Sequence, residues 1–206
     1  MPQNSLKMEK FPKKEGALPE VLFASGDKSY SYYLSDLAKN GQIRRVAPKV
    51  YTSNLDASDE DIVRRNLFLI IGKLFPGAVV GYRSAFEMKP TSSGDFFLTY
   101  KYTKKVKLPR LTVHLLEGTG GQAEDTPFVN GLFIACPERA FLENMKASYR
   151  KGENTKCLPI TEVEERLEKV IRVNGEATIN ALRDKARILS ERLNMEAEFA
   201  KLDNII

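Results

Sequence analysis

Asn40-Gly41 is the strongest stop signal in this sequence. Both residues tolerate the left-handed conformation that closes a helix, so a helix running into them ends there. Upstream, Leu34, Leu37 and Ala38 fall on one side of a helix that Ser29 or Ser31 can cap. Further back, Pro19 at a first helical position followed by Val21-Leu22-Phe23-Ala24 predicts one or two helical turns, stopped at Gly26. Downstream, Ile43, Val46, Val50 and Tyr51 suit strands, and Ala47-Pro48-Lys49 makes a turn between two short ones. Helix, stop, then a short Arg-rich hairpin is the order of the back half of a winged helix-turn-helix. We expect that unit over residues 19–56.

The rest of the chain reads as α+β. Ser58 or Asp59 begins a helix with acids in its first turn, where the helix dipole favours them, and Phe75-Pro76-Gly77 ends it. Residues 78–82 form a buried strand and Ser84 to Glu87 a further helical turn. Residues 95–100, 105–108 and 111–116 are strands at hairpin-like spacing, residues 128–135 a fourth, and Pro137 opens a helix to Lys146. Thr161-Glu162-Val163-Glu164 is a capping box, and Ile179, Leu182, Ala186, Leu189 and Leu193 line one face of a later helix. The expected organisation is a basic flexible tail (1–18), the winged helix-turn-helix (19–56), an α+β middle domain with a small, mostly antiparallel sheet (57–155) and a helical C-terminal segment (156–206).

Chemistry is sparse. The single histidine, His114, excludes a multi-His metal centre built within the chain, and two cysteines exclude a zinc finger. Cys136 and Cys157 lie in apolar contexts and read as buried, reduced thiols. No run of ~18 apolar residues can span a membrane. The first eighteen residues lack the apolar core of a secretory signal, so a cytoplasmic location is expected. We identify no catalytic residue, no metal ligand set and no cofactor. The formal net charge is +5 in 206 residues, and the first 55 carry nine basic and five acidic side chains. The basic excess therefore lies with the helix-and-hairpin pattern.

Lys28 and the run Tyr30-Ser31-Tyr32-Tyr33 open the helix before Asn40-Gly41. Hydroxyls and a cation at a helix N-terminus suit phosphate and base-edge contacts in a major groove, or the aromatic rings pack the small domain. Arg44, Arg45 and Lys49 sit on the hairpin, with adjacent strand residues facing opposite sides. They suit phosphate or minor-groove contact. Lys101, Lys104, Lys105, Lys107 and Arg110, interleaved with Tyr100 and Tyr102, form a second basic surface, which serves either nucleic acid or the protection of a sheet edge. Gly118-Thr119-Gly120-Gly121 reads as a flexible loop, because an acidic, Pro-broken stretch follows where a phosphate site needs a helix. Glu138 and Arg139, with Glu143 one turn on, read as a structural ion pair, and His114 as a structural or surface histidine.

The stretch LSDLAKNGQIRRVAPKVY, Leu34 to Tyr51, resembles the winged-helix start of AbiEi-family antitoxins of type IV toxin–antitoxin systems. Pro48-Lys49 stands where that family more often has Arg-Gly. The likeness continues through Arg83-Ser84-Ala85, Leu111 to Leu116 and the stretch CPERAFLE, Cys136 to Glu143. It implies a DNA-binding transcriptional regulator that autoregulates its operon and counteracts a partner toxin. A second likeness, carried by Ile62 to Leu67, Phe75 to Val80, Leu115 to Gly118 and Glu196 to Asp203, is to the region preceding the catalytic domain of certain bacterial Fic proteins. The Fic signature His-Pro-Phe-x-x-Gly-Asn-Gly-Arg is absent, and so is the inhibitory Ser/Thr-x-x-x-Glu pattern. The alternative it implies is a non-catalytic regulatory or interaction module of a Fic-type AMP-transferase system. The expected partners are double-stranded operator DNA and a cognate toxin or Fic-type enzyme.

Overall fold

Val21-Leu22-Phe23 is extended, not helical. It forms strand β1 (Val21–Phe23), which pairs antiparallel with β3 (Val50–Thr52) in the register Leu22↔Tyr51. An apolar stretch this short between Pro19 and Gly26 gains more from sheet pairing and burial of Val21 and Leu22 than from an isolated helical turn. The computed structural model of the chain describes residues 17–146 and 156–206. The basic tail expected over 1–18 thus lies, but for Ala17 and Leu18, outside the described residues. Two compact units are present, Met1–Ile70 and Ile71–Ile206.

Among the described residues of the first unit a single helix, α1 (Lys28–Lys39), precedes the hairpin of β2 (Arg44–Ala47) and β3. The pair of helices expected in residues 19–56 is therefore one helix and one strand. Asp27, not Ser29 or Ser31, caps α1, its carboxylate accepting from the backbone N–H groups of Ser29 (2.8 Å) and Tyr30 (3.2 Å). Asn40 and Gly41 (φ 67°) end it. The three strands are ordered β1-β3-β2. Leu22, Leu34, Leu37 and Ile43 form the core, flanked by Tyr30, Tyr33 and Tyr51, while Ala38 is exposed. Ser58 caps α2 (Asp59–Arg65), accepting from the Asp61 N–H at 3.1 Å. The long helix expected to Leu74 breaks at Asn66 and resumes as α3 (Leu67–Leu74). At the break the Asn66 amide donates to the Ile62 carbonyl (3.0 Å) and to Glu20 (2.9 Å), competing with the helical ladder.

Glu20 also accepts from Asn54 (3.1 Å) and Arg65 (2.6 Å), and these bonds, led by that from Asn66, hold its carboxyl below the usual range. A carboxylate with a lowered folded pKa stabilises the fold above its ordinary pKa near ~4.3, and loses that contribution as pH falls through the lowered value. The Glu20 side chain is 35% exposed, so the discounted effect is below about 1 kcal/mol. Glu20→Ala is expected to speed hydrogen exchange of the β1 amides at pH 7, with the difference from wild type shrinking at pH 3. A difference independent of pH would contradict this.

The second unit is built on a six-stranded sheet ordered β6-β7-β5-β4-β9-β8, comprising β4 (Val79–Val80), β5 (Asp95–Tyr100), β6 (Lys104–Leu108), β7 (Leu111–Glu117), β8 (Thr126–Pro127) and β9 (Phe133–Ile134). It is mixed, not mostly antiparallel: β5 pairs parallel with β7 over six residues, and β4 parallel with β9. Hairpin-like spacing suggests the sequential order 5-6-7, yet β7 lies between β5 and β6. The composition explains the exchange. Every residue of β5 is buried, so it needs partners on both sides, whereas Lys-rich β6 is suited to an edge. The single strand expected over 128–135 is divided because Asn130 and Gly131 both adopt positive φ (54° and 77°) in a 3-10 turn before β9.

Among the described residues the helices lying wholly in this unit are α4 (Tyr82–Glu87), α5 (Pro137–Asn144), α6 (Ile160–Asn174), α7 (Glu176–Leu193) and α8 (Glu196–Asp203). Ile160 starts α6, so Thr161 already lies inside the first turn and the expected capping box does not form. The five predicted apolar positions of α7 are buried, together with Phe141, Leu142 and Met145, Val163 and Leu167, and Leu202. Both cysteines are buried thiols outside any disulfide, and burial pushes the Cys136 thiol up to about 12 and the Cys157 thiol up to about 11. Among the described residues no helix is long and apolar enough to cross a membrane.

Candidate functional site

The α1 sequence buries Leu34 and Leu37 and leaves Lys28, Tyr32, Ser35 and Lys39 exposed, a stripe at spacings of four, three and four residues. Tyr32 is 77% exposed, the most exposed large apolar side chain described. Tyr33 faces the other way. It is half-buried against the core with its ring centroid 6.0 Å from that of Tyr30, so it supports the helix. The Ser31 hydroxyl donates to the Ser25 carbonyl at 3.3 Å, tying the helix to the turn before it. Lys39 is absent from the sequence-predicted set, although its helical spacing from Lys28 and Tyr32 places it on the same stripe.

On the hairpin, Arg44 and Arg45 do face opposite sides, in register with Thr52 and Tyr51 respectively. Arg44 is committed internally: its guanidinium pairs with Asp59 and donates to the Ala57 carbonyl. It fastens the hairpin to the start of α2 and does not present a free cation. Arg45 is exposed, its Nε donating to the nearby Ala47 carbonyl (3.3 Å). Lys49 is exposed at the tip with φ 66°, so it takes the left-handed conformation that glycine accepts without cost. Lys49→Gly is therefore expected to raise stability by up to ~1 kcal/mol in urea denaturation, with the tip retained. A loss of stability would show that the turn does not carry this strain.

In the second unit Lys104, Lys105 and Lys107 are exposed along edge strand β6, and Lys101 and Arg110 lie before and after it. Tyr100 is buried, edge-on to Phe75 at 5.9 Å, and offers no stacking face; Tyr102 is 39% exposed. His114 pairs with Asp95 and stacks on Phe97 at 4.8 Å, which makes it structural.

The most elaborate polar arrangement is buried. Arg139 on α5, 1% exposed, donates from Nε to Glu143 (3.0 Å), from Nη1 to Asp125 (2.6 Å) and the Gly120 carbonyl (3.0 Å), and from Nη2 to the Thr119 carbonyl (2.6 Å). Glu143 in turn accepts from the Thr99 hydroxyl and the Tyr82 N–H, both at 2.8 Å. Asp125 accepts from the Cys136 and Gln122 N–H groups, both at 2.9 Å. Burial opposes the guanidinium charge, but the two carboxylates outweigh it and hold its pKa above the usual value. A Cβ on Gly81 would lie 2.2 Å from a Glu143 oxygen, so only glycine lets the chain pass that carboxylate. Glu138 takes no part; it lies 3.9 Å from Lys185. The Gly118 to Gly121 loop is pinned by Arg139, through carbonyls that no sequence pattern advertises. The helical spacing of Arg139 and Glu143 is legible in the sequence, whereas Asp125, on a loop, is not.

This cluster is satisfied and structural. Neither a nucleophile activated by a base nor, among the described residues, a group of three metal-ligating side chains accompanies it. Compared with models of known protein families and with curated proteins, the sequence matches none.

Proposed function

We propose that the chain is a DNA-binding transcriptional regulator of the antitoxin kind that its AbiEi likeness implies, acting on duplex operator DNA. The observation that carries this reading is the division of α1 into a buried Leu34/Leu37 face and an exposed Lys28/Tyr32/Lys39 stripe, followed at once by a hairpin with Arg45 and Lys49 exposed. In this reading Lys28 and Tyr32 approach the groove and Lys39, Arg45 and Lys49 contact phosphates. Ser31, Tyr33 and Arg44 keep the helix and hairpin in place. Lys104, Lys105, Lys107 and Arg110 add a sequence-independent attraction. The winged-helix element is then a reduced one, with β1 standing where a leading helix was expected. Fluorescence anisotropy with the DNA upstream of the chain's own gene tests it. Binding that is stronger than to scrambled DNA and weakened by Lys28→Ala or Arg45→Ala supports it, and no binding at low salt refutes it.

The second reading, a non-catalytic module contacting a toxin or Fic-type enzyme, is favoured by two exposed apolar residues of the helical end, Val173 on α6 (68%) and Ile188 on α7 (54%). Inhibition of such an enzyme that Val173→Asp and Ile188→Asp abolish would select it. Unchanged inhibition by both variants would count against it.

A further inference from the structure

The parallel strands β5 and β7 end side by side, with Tyr100 in register with Glu117. In open sheets with parallel strands, ligands bind in the crevice beyond the carboxyl ends, because the chain departs there as loops and helix ends. Such a crevice exists here, a cavity of about 500 Å3 reached by Thr99, Lys101, Glu117, Thr119, Lys146 and Asn194. That volume falls within the range of small-molecule sites. Gly118 makes the floor possible, since a Cβ there would lie 2.7 Å from the Thr99 methyl.

The lining has a definite charge pattern. Arg139, at the base, is already neutralised by Asp125 and Glu143. Among the described residues Lys101 and Lys146 have no carboxylate partner. Each ammonium lies instead over an aromatic ring, Lys101 at 5.6 Å from the Tyr100 centroid and Lys146 at 5.7 Å from that of Tyr82. A ring face stabilises the cation but leaves its N–H donors for an anion. Glu117 adds an acceptor beside them, and Leu193 and Met195 an apolar wall.

We infer that this cavity binds a small phosphate monoester carrying hydroxyl groups, with Lys101 and Lys146 holding the phosphate and Glu117 accepting from a hydroxyl. Inorganic phosphate would fill only part of the volume, and it brings no carbon-borne hydroxyls or methylene surface to set against Glu117 and the Leu193–Met195 wall.

The test is calorimetric titration of the full chain at low salt with glycerol 3-phosphate and with inorganic phosphate. Glycerol 3-phosphate is expected to bind more tightly than phosphate. Lys101→Ala and Lys146→Ala should each weaken it about tenfold, the usual worth of a charge-assisted hydrogen bond. Lys169→Ala, an equal charge change on α6 outside the cavity, should leave it within about twofold. Glu117→Gln should strengthen phosphate binding and narrow the preference for glycerol 3-phosphate, a gain in affinity that loss of folding cannot produce. Absence of binding overturns the proposal, as does equal affinity for the two probes or a Lys169→Ala effect as large as that of the cavity lysines.

Discussion

Replacing Arg139 by alanine is expected to destabilise the second unit by about 3–5 kcal/mol, the cost of removing one partner from a buried ion pair. The substitution leaves Glu143 and Asp125, 0% and 3% exposed, without their counter-charge, and strips the Thr119 and Gly120 carbonyls of their donor. Against a typical domain stability of ~5–15 kcal/mol this is a large fraction. Arg139→Lys should recover part of it, since an ammonium keeps the charge but cannot fork to both carboxylates and both carbonyls. Arg139→Met combined with Glu143→Gln should be more stable than Arg139→Met alone. The glutamine carbonyl still accepts from Thr99 or Tyr82, and one buried charge disappears. Urea denaturation of the full chain followed by circular dichroism measures all four variants. If Arg139→Ala stays within ~1 kcal/mol of wild type, the cluster does not hold the unit together.

The other large effect concerns DNA. With Lys39, Arg45 and Lys49 neutralising three phosphates, these contacts of the first unit should make the logarithm of the binding constant fall with log salt at a slope of about −2.7, a loss on the order of 40-fold between 50 and 200 mM. Arg45→Ala with Lys49→Ala should reduce that slope by about 1.8. Arg44→Ala should leave it unchanged and instead loosen the hairpin from α2, because its guanidinium is spent on Asp59 and Ala57. The two adjacent arginines are therefore separable by experiment. A slope that the double variant does not alter, or that Arg44→Ala alters equally, would refute this assignment of roles.

Much of the local structure was legible because it is signalled locally. Asn40-Gly41 ends α1, Ser58 caps α2, and the apolar spacing of α7 marks its buried face. What the sequence misleads about depends on partners far along the chain. Val21-Leu22-Phe23 becomes a strand only because residues 50–52 supply its ladder. The position of β7 follows from the need of β5 to be covered on both edges, which no short window reveals. Arg44 and Arg45 are indistinguishable as letters, and only the placement of Asp59 fifteen residues on takes one of them out of the binding set. The cavity at the carboxyl ends of β5 and β7 was invisible for the same reason. It draws on a strand end, a glycine loop, α5 and the turn after α7, and none of these carries a motif.

The insertion of β7 between β5 and β6 also dictates an order of assembly. Until residues 111–117 arrive, β5 has an open backbone edge and six residues that must end up buried, the combination most liable to recruit a second nascent chain. The β6–β7 hairpin closes over a two-residue turn and is the fastest pairing available in this region, so it forms before the non-local ladder to β5. It then docks as a preformed unit, β7 inward. The lysines of β6 travel with it and become the new rim, so the step that closes this edge of β5 also makes the border there repellent to another copy.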